Sequence, residues 1–146
     1  MRRAEVLPII RFHAPDGGKL RHAHQHRHWL LHCWKQLSLR RDVQRIDYYF
    51  VSRETISHLH KKFLSDDRET DILTFDYGES AEIFICPSVI REHAQRYRTT
   101  FAMEMRRVMI HGVLHMLGFD DSEESAQEAM RHIEDFCLEE WKNCFT

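Results

Sequence analysis

Apolar and polar positions follow two periods along this chain, and the change from one to the other marks short strands and longer helices. Four runs rich in branched and aromatic residues read as strands: VLPIIRFH (6–13), VQRIDYYFV (43–51), DILTFDY (71–77) and EIFIC (82–86). Pro8 places the first of them at a sheet edge, because proline has no N–H to give to a ladder. Asp16, Gly17 and Gly18 form a turn. From Leu20 to Leu39 the positions Leu20, Ala23, Leu30, Leu31, Trp34 and Leu37 recur at helical spacing. Ser52 is a good N-cap for the helix SRETISHLHKKFL, with Ile56, Leu59 and Phe63 on one face. Pro87 and Ser88 open a helix that runs through VIREHAQRYR. Two more helices occupy about 100–117 and Glu123 to about Phe145. The pattern predicts an α+β fold: one domain over residues 1–146, with about four strands in one sheet covered by helices.

The helix over 100–117 breaks the amphipathic rule. Val108, Met109, Ile110, Val113, Leu114, Met116 and Leu117 leave it apolar nearly all round, the mark of a buried helix. Only His111 and His115 are strongly polar in its last two turns. Four residues apart, they project from neighbouring turns on one face, about 6 Å apart along the axis. Both imidazoles are therefore expected inside the protein or at the floor of a cleft. Gly118 ends the helix, since glycine reaches the left-handed C-cap geometry without strain. Asp120 and Asp121 follow.

Two readings of this stretch compete. In the first, His111, His115 and Asp121 converge on one metal ion, and the spacing leaves an open coordination position. In the second, the histidines are core residues and the acids serve the next helix. Asp121 and Glu124 then form its capping box, with Asp120 or Ser122 able to do the same work. Two unpaired imidazoles in a dry helix would be costly, and a shared cation relieves both at once. Two histidines and a carboxylate form a known zinc set and also suit non-haem iron.

Composition narrows the alternatives. A chain of 146 residues with 42% hydrophobic content can bury one core. No run approaches the length of a membrane span. The start MRRAEVLPIIRF lacks the long apolar centre of a secretory signal. Cys33, Cys86, Cys137 and Cys144 are scattered and read as reduced, packed thiols. A cytoplasmic location is the expectation. Residues 1–64 hold 13 Lys/Arg against 5 Asp/Glu, and residues 65–146 hold 8 against 18. An RNA substrate would lean on basic surface from the first half, unless the fold intermingles the two. His22, His24, His26, His28 and His32 crowd one helix; with no acid among them they read as a solvated face. No GxSxG, GxGxxG or Walker motif is present.

HGVLHMLGFDD (111–121) resembles the signature HGxLHLxGYDH of the bacterial YbeY-type endoribonucleases, with Asp121 where that family has its third histidine. The resemblance extends to Leu59–Phe75, LHKKFLSDDRETDILTF, which is similar to the family segment LNxxYRxxDxxTDVLSF. Ala81–Ile85 is similar to its GDIxI element. Together these cover about 59–145. One departure stands out: Leu64 replaces the arginine of the family's YR pair. That residue is thought to assist cleavage or phosphate contact, and Lys61, Lys62 and Arg68 are its only basic neighbours in sequence.

The resemblance implies a metal-dependent, single-strand-specific endoribonuclease acting in ribosomal RNA maturation and ribosome quality control. It would hold one Zn2+ through His111, His115 and Asp121, with ribosomal RNA and ribosomal proteins as partners and no membrane. The metal would activate water, or polarise phosphorus for attack by the ribose 2′-OH. Asp71 and Glu82 are the next acids to test as proton carriers or as residues that orient a ligand. Two rivals remain. The ligand spacing, with Gly118 included, is also that of metzincin peptidases, HExxHxxGxxH, but Gly112 stands where their general-base glutamate would be. A non-catalytic ribosome-assembly factor would need a fourth protein ligand, for which Cys86 or Asp120 is available.

Overall fold

Each strand expected from the sequence forms; the first three are shorter than their apolar runs because the ends turn into loops, while the fourth starts two residues before its expected run, at Ser80, and ends one residue before its end, at Ile85. The computed structural model describes residues 7–37, 42–119 and 122–145. Along them lie β1 (Ile9–His13), α1 (Ala23–Gln36), β2 (Arg45–Phe50), α2 (Arg53–Leu64), β3 (Ile72–Asp76), β4 (Ser80–Ile85), α3 (Pro87–Arg96), α4 (Phe101–Met116) and α5 (Glu124–Phe145). Helix α1 starts three residues later than its periodicity suggests. The Asp16–Gly18 turn runs on through backbone that only glycine adopts cheaply, with φ of 91° at Gly17 and 80° at Gly18, and His22 then enters the left-handed region at φ 58°.

The sheet has the order β1-β2-β4-β3. Strands β1, β2 and β4 are parallel, and β3 returns antiparallel beside β4. β1 is an edge strand, as Pro8 just before it requires. Side chains alternate between faces. Ile10, Ile46, Tyr48, Ile83 and Ile85 join the main core, which takes in α1, α4 and α5. Leu73 on the opposite face joins Val51, Ile56, Cys86 and Val89 in a smaller core, against which Tyr49, Phe75 and Phe84 pack beside α2. Together these make the expected α+β arrangement of one four-stranded sheet covered by helices. Among the described residues no helix is long and apolar enough to cross a membrane. Cys33, Cys86 and Cys137 are buried thiols and Cys144 is half-buried, all unbridged.

α4 lies at the centre. Met105, Val108, Met109, Ile110, Val113, Leu114 and Met116 are buried in it, as the all-round apolar pattern demands. Thr100 caps its start by accepting from the Met103 N–H at 3.1 Å. Its end is a Schellman motif around Gly118 (φ 97°): Gly118 N–H donates to His115 O and Phe119 N–H to Leu114 O. Two contacts lock the helix to the sheet. The fully buried Tyr48 hydroxyl of β2 donates to the Met109 carbonyl at 2.8 Å. At Gly112 the backbone comes so close that an added Cβ would sit 2.9 Å from Ile72 Cδ1 and 3.1 Å from Ile83 Cγ2.

The histidine-rich segment is not one solvated face. His22, His24 and His28 are exposed, but His26 is buried and bonded through Nδ1 to the His22 carbonyl. His32 reaches Glu140 of α5 at 2.9 Å. The helix packs on α5 through Trp29, whose Nε1 donates to the Cys137 carbonyl, so part of the histidine run is turned inward with it. The acid absent from the local sequence comes from the far end of the chain.

The contact at Gly112 generates the first prediction. Alanine there should cost about 1 kcal/mol net, the clash with Ile72 and Ile83 outweighing the gain in helix propensity. Glutamate there, which would complete the peptidase motif, should abolish cooperative folding, because its carboxylate would enter the apolar sheet without a partner. Thermal unfolding followed by circular dichroism checks both; a native-like midpoint for Gly112→Glu would show that α4 stands further from the sheet.

Candidate functional site

The two histidines of α4 do share a face. Their rings lie nearly parallel, 10° apart in plane, with centroids 6.1 Å from each other. Their burial differs: His111 is half-buried on a cavity wall, whereas His115 is exposed. The expectation that both rings lie inside the protein or at the floor of a cleft is thus met by His111 and corrected for His115. It belongs to the last turn of α4, one turn beyond His111 and rotated from it by about 40°. Asp120 and Asp121 lie outside the described residues, so the third expected donor has no described position. Among the described residues no group of three His, Cys, Asp or Glu side chains is placed to hold a metal.

The cavity beside His111 has a volume of about 510 Å³. Asp71, Glu104 and Glu134 are the acids on its wall, facing Arg107, Arg131, His93 and His111. The key arrangement joins α4 to α5. Glu134 is buried, and its Oε2 accepts a 2.6 Å bond from His111 Nδ1. Its Oε1 accepts from Arg107 Nη1 at 3.0 Å, and Arg107 Nη2 donates to Asp135 at 2.6 Å. Burial lowers the pKa of Arg107, but the bonds to Asp135 and Glu134 outweigh it and raise the value, so the guanidinium stays charged. The Glu134 carboxyl group is thereby held between the guanidinium and the imidazole. With that partner, Nδ1 carries the proton and Nε2 the lone pair, the tautomer a metal-ligating histidine requires.

Of the two further acids singled out from the sequence, one is at this site. Asp71 lines the cavity and pairs with His93 at 3.4 Å. Glu82 does not line it; its Oε1 accepts from the Tyr77 hydroxyl at 2.7 Å among exposed groups. Glu104, one turn before Arg107, is a cavity acid that sequence reasoning passed over. Burial pushes its carboxyl above the ordinary range, against the pull of Arg107. Leu64 is 57% exposed, and no neighbouring cation takes the missing arginine's place on this wall. Arg68 is bound by Asp66, and Lys62 lies over the Phe63 ring. Cys86 packs in the small core and does not line the cavity, which removes it as a fourth ligand here.

Glu134 did leave a trace in the sequence. Met130, Ile133, Cys137, Leu138 and Trp141 form the apolar stripe of α5, and Glu134 falls inside that stripe. A carboxylate at a core-facing position needs a cationic or N–H partner. Arg107 and His111 provide both from the facing helix.

Comparison with known proteins places the chain among relatives. The family model described as endoribonuclease YbeY matches residues 17–142. A Thermotoga maritima protein named endoribonuclease YbeY is 33% identical over 107 residues, 67% of this chain and 71% of its own. A Parabacteroides distasonis protein of the same name is 36% identical over 97 residues, covering 64% of this chain and 68% of its own. A solution structure from Thermotoga maritima superposes with a TM-score of 0.64 at 28% identity, over 91% of this chain and 89% of that one. Family model, relatives and fold agree, and the chain belongs to the YbeY endoribonuclease family.

Proposed function

We propose that this protein is a metal-dependent endoribonuclease that cuts single-stranded segments of ribosomal RNA during maturation and quality control of the ribosome. Zn2+ is the metal that best suits the donors, held by His111, His115 and Asp121. The observation that supports this reading most is the buried Glu134 bonded to His111 Nδ1. Carboxylate–histidine pairs of this kind fix the tautomer and orientation of metal ligands and raise their basicity. A structural histidine would be served as well by a backbone carbonyl, without the cost of a buried anion and its arginine.

When bound, the metal supplies an activated water or a polarised phosphoryl oxygen. The protein's own residues do the rest. Arg107 holds Glu134 in place, and Glu134 keeps the His111 ring aimed. Asp71 and His93 form an acid–base pair, 3.4 Å apart, on the cavity wall. Glu104 retains its proton to higher pH than an ordinary glutamate, which suits a group that gives a proton to a departing oxygen. The peptidase alternative has no general base: its position is Gly112, whose Cα faces Ile72 and Ile83 of the sheet rather than the cavity.

Purified protein should carry about one equivalent of metal per chain. His111→Ala should lose it, as read by elemental analysis, and unchanged metal content in that variant would refute the ligand assignment. Glu134→Gln keeps the shape but removes the anion; its metal affinity, measured by competition with a chelating dye, should fall about 10- to 100-fold while the fold is retained. Structured rRNA fragments should be cut in their single-stranded parts, and chelator should stop the cutting. If metal-loaded protein cleaves no RNA, the assembly-factor reading takes over.

A further inference from the structure

A second and larger cavity, of about 840 Å³, lies on the other side of α4. It opens where the three parallel strands end: the turn after β1, the Phe50–Ser52 exit of β2, and Pro87–Ser88 after β4 all line it. In α/β proteins this is the side of the sheet on which ligands bind. The first turns of α1, α2, α3 and α4 also face it, through His22, Ser52, Ser88 and Thr100. α2 is capped by Ser52 and α4 by Thr100, but α1 and α3 have no side-chain cap. Their N–H groups add positive potential to the space.

Helix ends alone would say little; the charged wall says more. Lys19, Arg21, Arg91 and Arg106 line the cavity, against one acid, Asp16. That acid is already engaged, accepting from the Ser52 N–H at 2.9 Å and from the Thr55 hydroxyl at 2.8 Å. Arg106 is the anomaly. Its Nε is buried and has no hydrogen-bond partner, and its guanidinium rests only on the Trp141 ring, 4.3 Å from the centroid. Among the described residues no carboxylate pairs with it, and burial pulls its pKa below the ordinary value. His26, next to Trp141, is likewise lowered by burial and then by Arg106. A half-buried cation with one buried donor unmet, on the wall of a hollow, is a costly arrangement that an arriving anion would complete.

We propose that this cavity is a binding site for a nucleoside phosphate, with the phosphate held by Arg106, Lys19 and Arg21 and the glycine-containing turn at Asp16–Gly18. An oxyanion gives the guanidinium the planar, charged acceptor it lacks. Gly17 and Gly18 leave open space where a Cβ would stand, so a ligand can approach that backbone closely. Phosphate alone would leave most of 840 Å³ empty, while Phe50, Phe101 and Met105 offer an apolar wall for a ring. The ligand is a free nucleotide or one unit of an RNA strand.

The test uses metal-free protein in chelator, so that its outcome is independent of the nuclease reading. Titration with inorganic phosphate, AMP and adenosine is followed by calorimetry and by the amide and indole NMR signals of Ser52, Ser88 and Trp141. AMP should bind saturably and more tightly than phosphate, adenosine weakly, with shifts confined to this cavity. Arg106→Met should weaken AMP about tenfold or more and, by removing a half-buried charge with an unmet donor, raise the thermal midpoint. A purely structural arginine would instead lower that midpoint and leave the affinity unchanged. Should Arg106→Met fail to fold, the exposed Lys19→Met and Arg21→Met must each weaken AMP about threefold. A short oligoribonucleotide binding far more tightly than AMP identifies a strand as the source, and equal affinity identifies a free nucleotide. Adenosine binding as tightly as AMP, shifts elsewhere, or affinity indifferent to these substitutions would overturn the proposal.

Discussion

The close approach of α4 to the sheet at Gly112 governs the molecule. A side chain of any size there would push the helix outward, because Ile83 is fully buried and cannot swing aside. Tyr48 makes the same demand from the neighbouring strand, its buried hydroxyl satisfied only if the Met109 carbonyl stays where it is. Axis, depth and rotation of α4 are thus set together. Rotation matters most. At about 100° per residue, fixing Gly112 against the sheet fixes the directions of every other position on the helix.

Two faces of α4 then diverge. Met103, Glu104, Arg107 and His111 point into the cavity shared with α5, while Ala102, Met105 and Arg106 point into the one at the strand ends. Arg106 and Arg107 are adjacent in sequence and meet opposite fates. Arg107 finds Glu134 and Asp135 and becomes a strut between helices. Arg106 finds an aromatic ring and no anion. The same residue type, buried to a similar degree, is structurally complete in one place and incomplete one position earlier. That contrast separates a cation that holds a fold together from one that awaits a ligand.

Much of this was legible in the sequence and some was not. The strands and the buried character of α4 follow from local pattern, since β-branched runs and an all-round apolar helix have few other uses. Gly118 announced the helix end because left-handed backbone selects glycine. The start of α1 was misplaced because periodicity cannot see a turn that Gly17 and Gly18 extend into His22. The exposure of His115 escaped for a related reason: a sequence shows which residues share a face, but not where the covering element stops. Residues joined only by tertiary contact, such as Glu134 with His111 and Glu140 with His32, were invisible by proximity. Glu134 could still have been caught as the one acid inside an apolar stripe.

Charge shows why whole-segment arithmetic misleads where single positions do not. The first half of the chain is basic and the second acidic, yet the basic wall of the larger cavity draws Lys19 and Arg21 from one half and Arg91 and Arg106 from the other. The fold intermingles them, since the loops after three parallel strands and the first turns of four helices meet at a single end of the sheet. Several acids of the second half are consumed within their own neighbourhood: Asp66 by Arg68, Glu92 by Arg53, Glu134 and Asp135 by Arg107. What a phosphate would sense at the strand ends is therefore the local surplus of Lys19, Arg21, Arg91 and Arg106 over the single, already bonded acid Asp16, a surplus that no sum over either half of the chain would reveal.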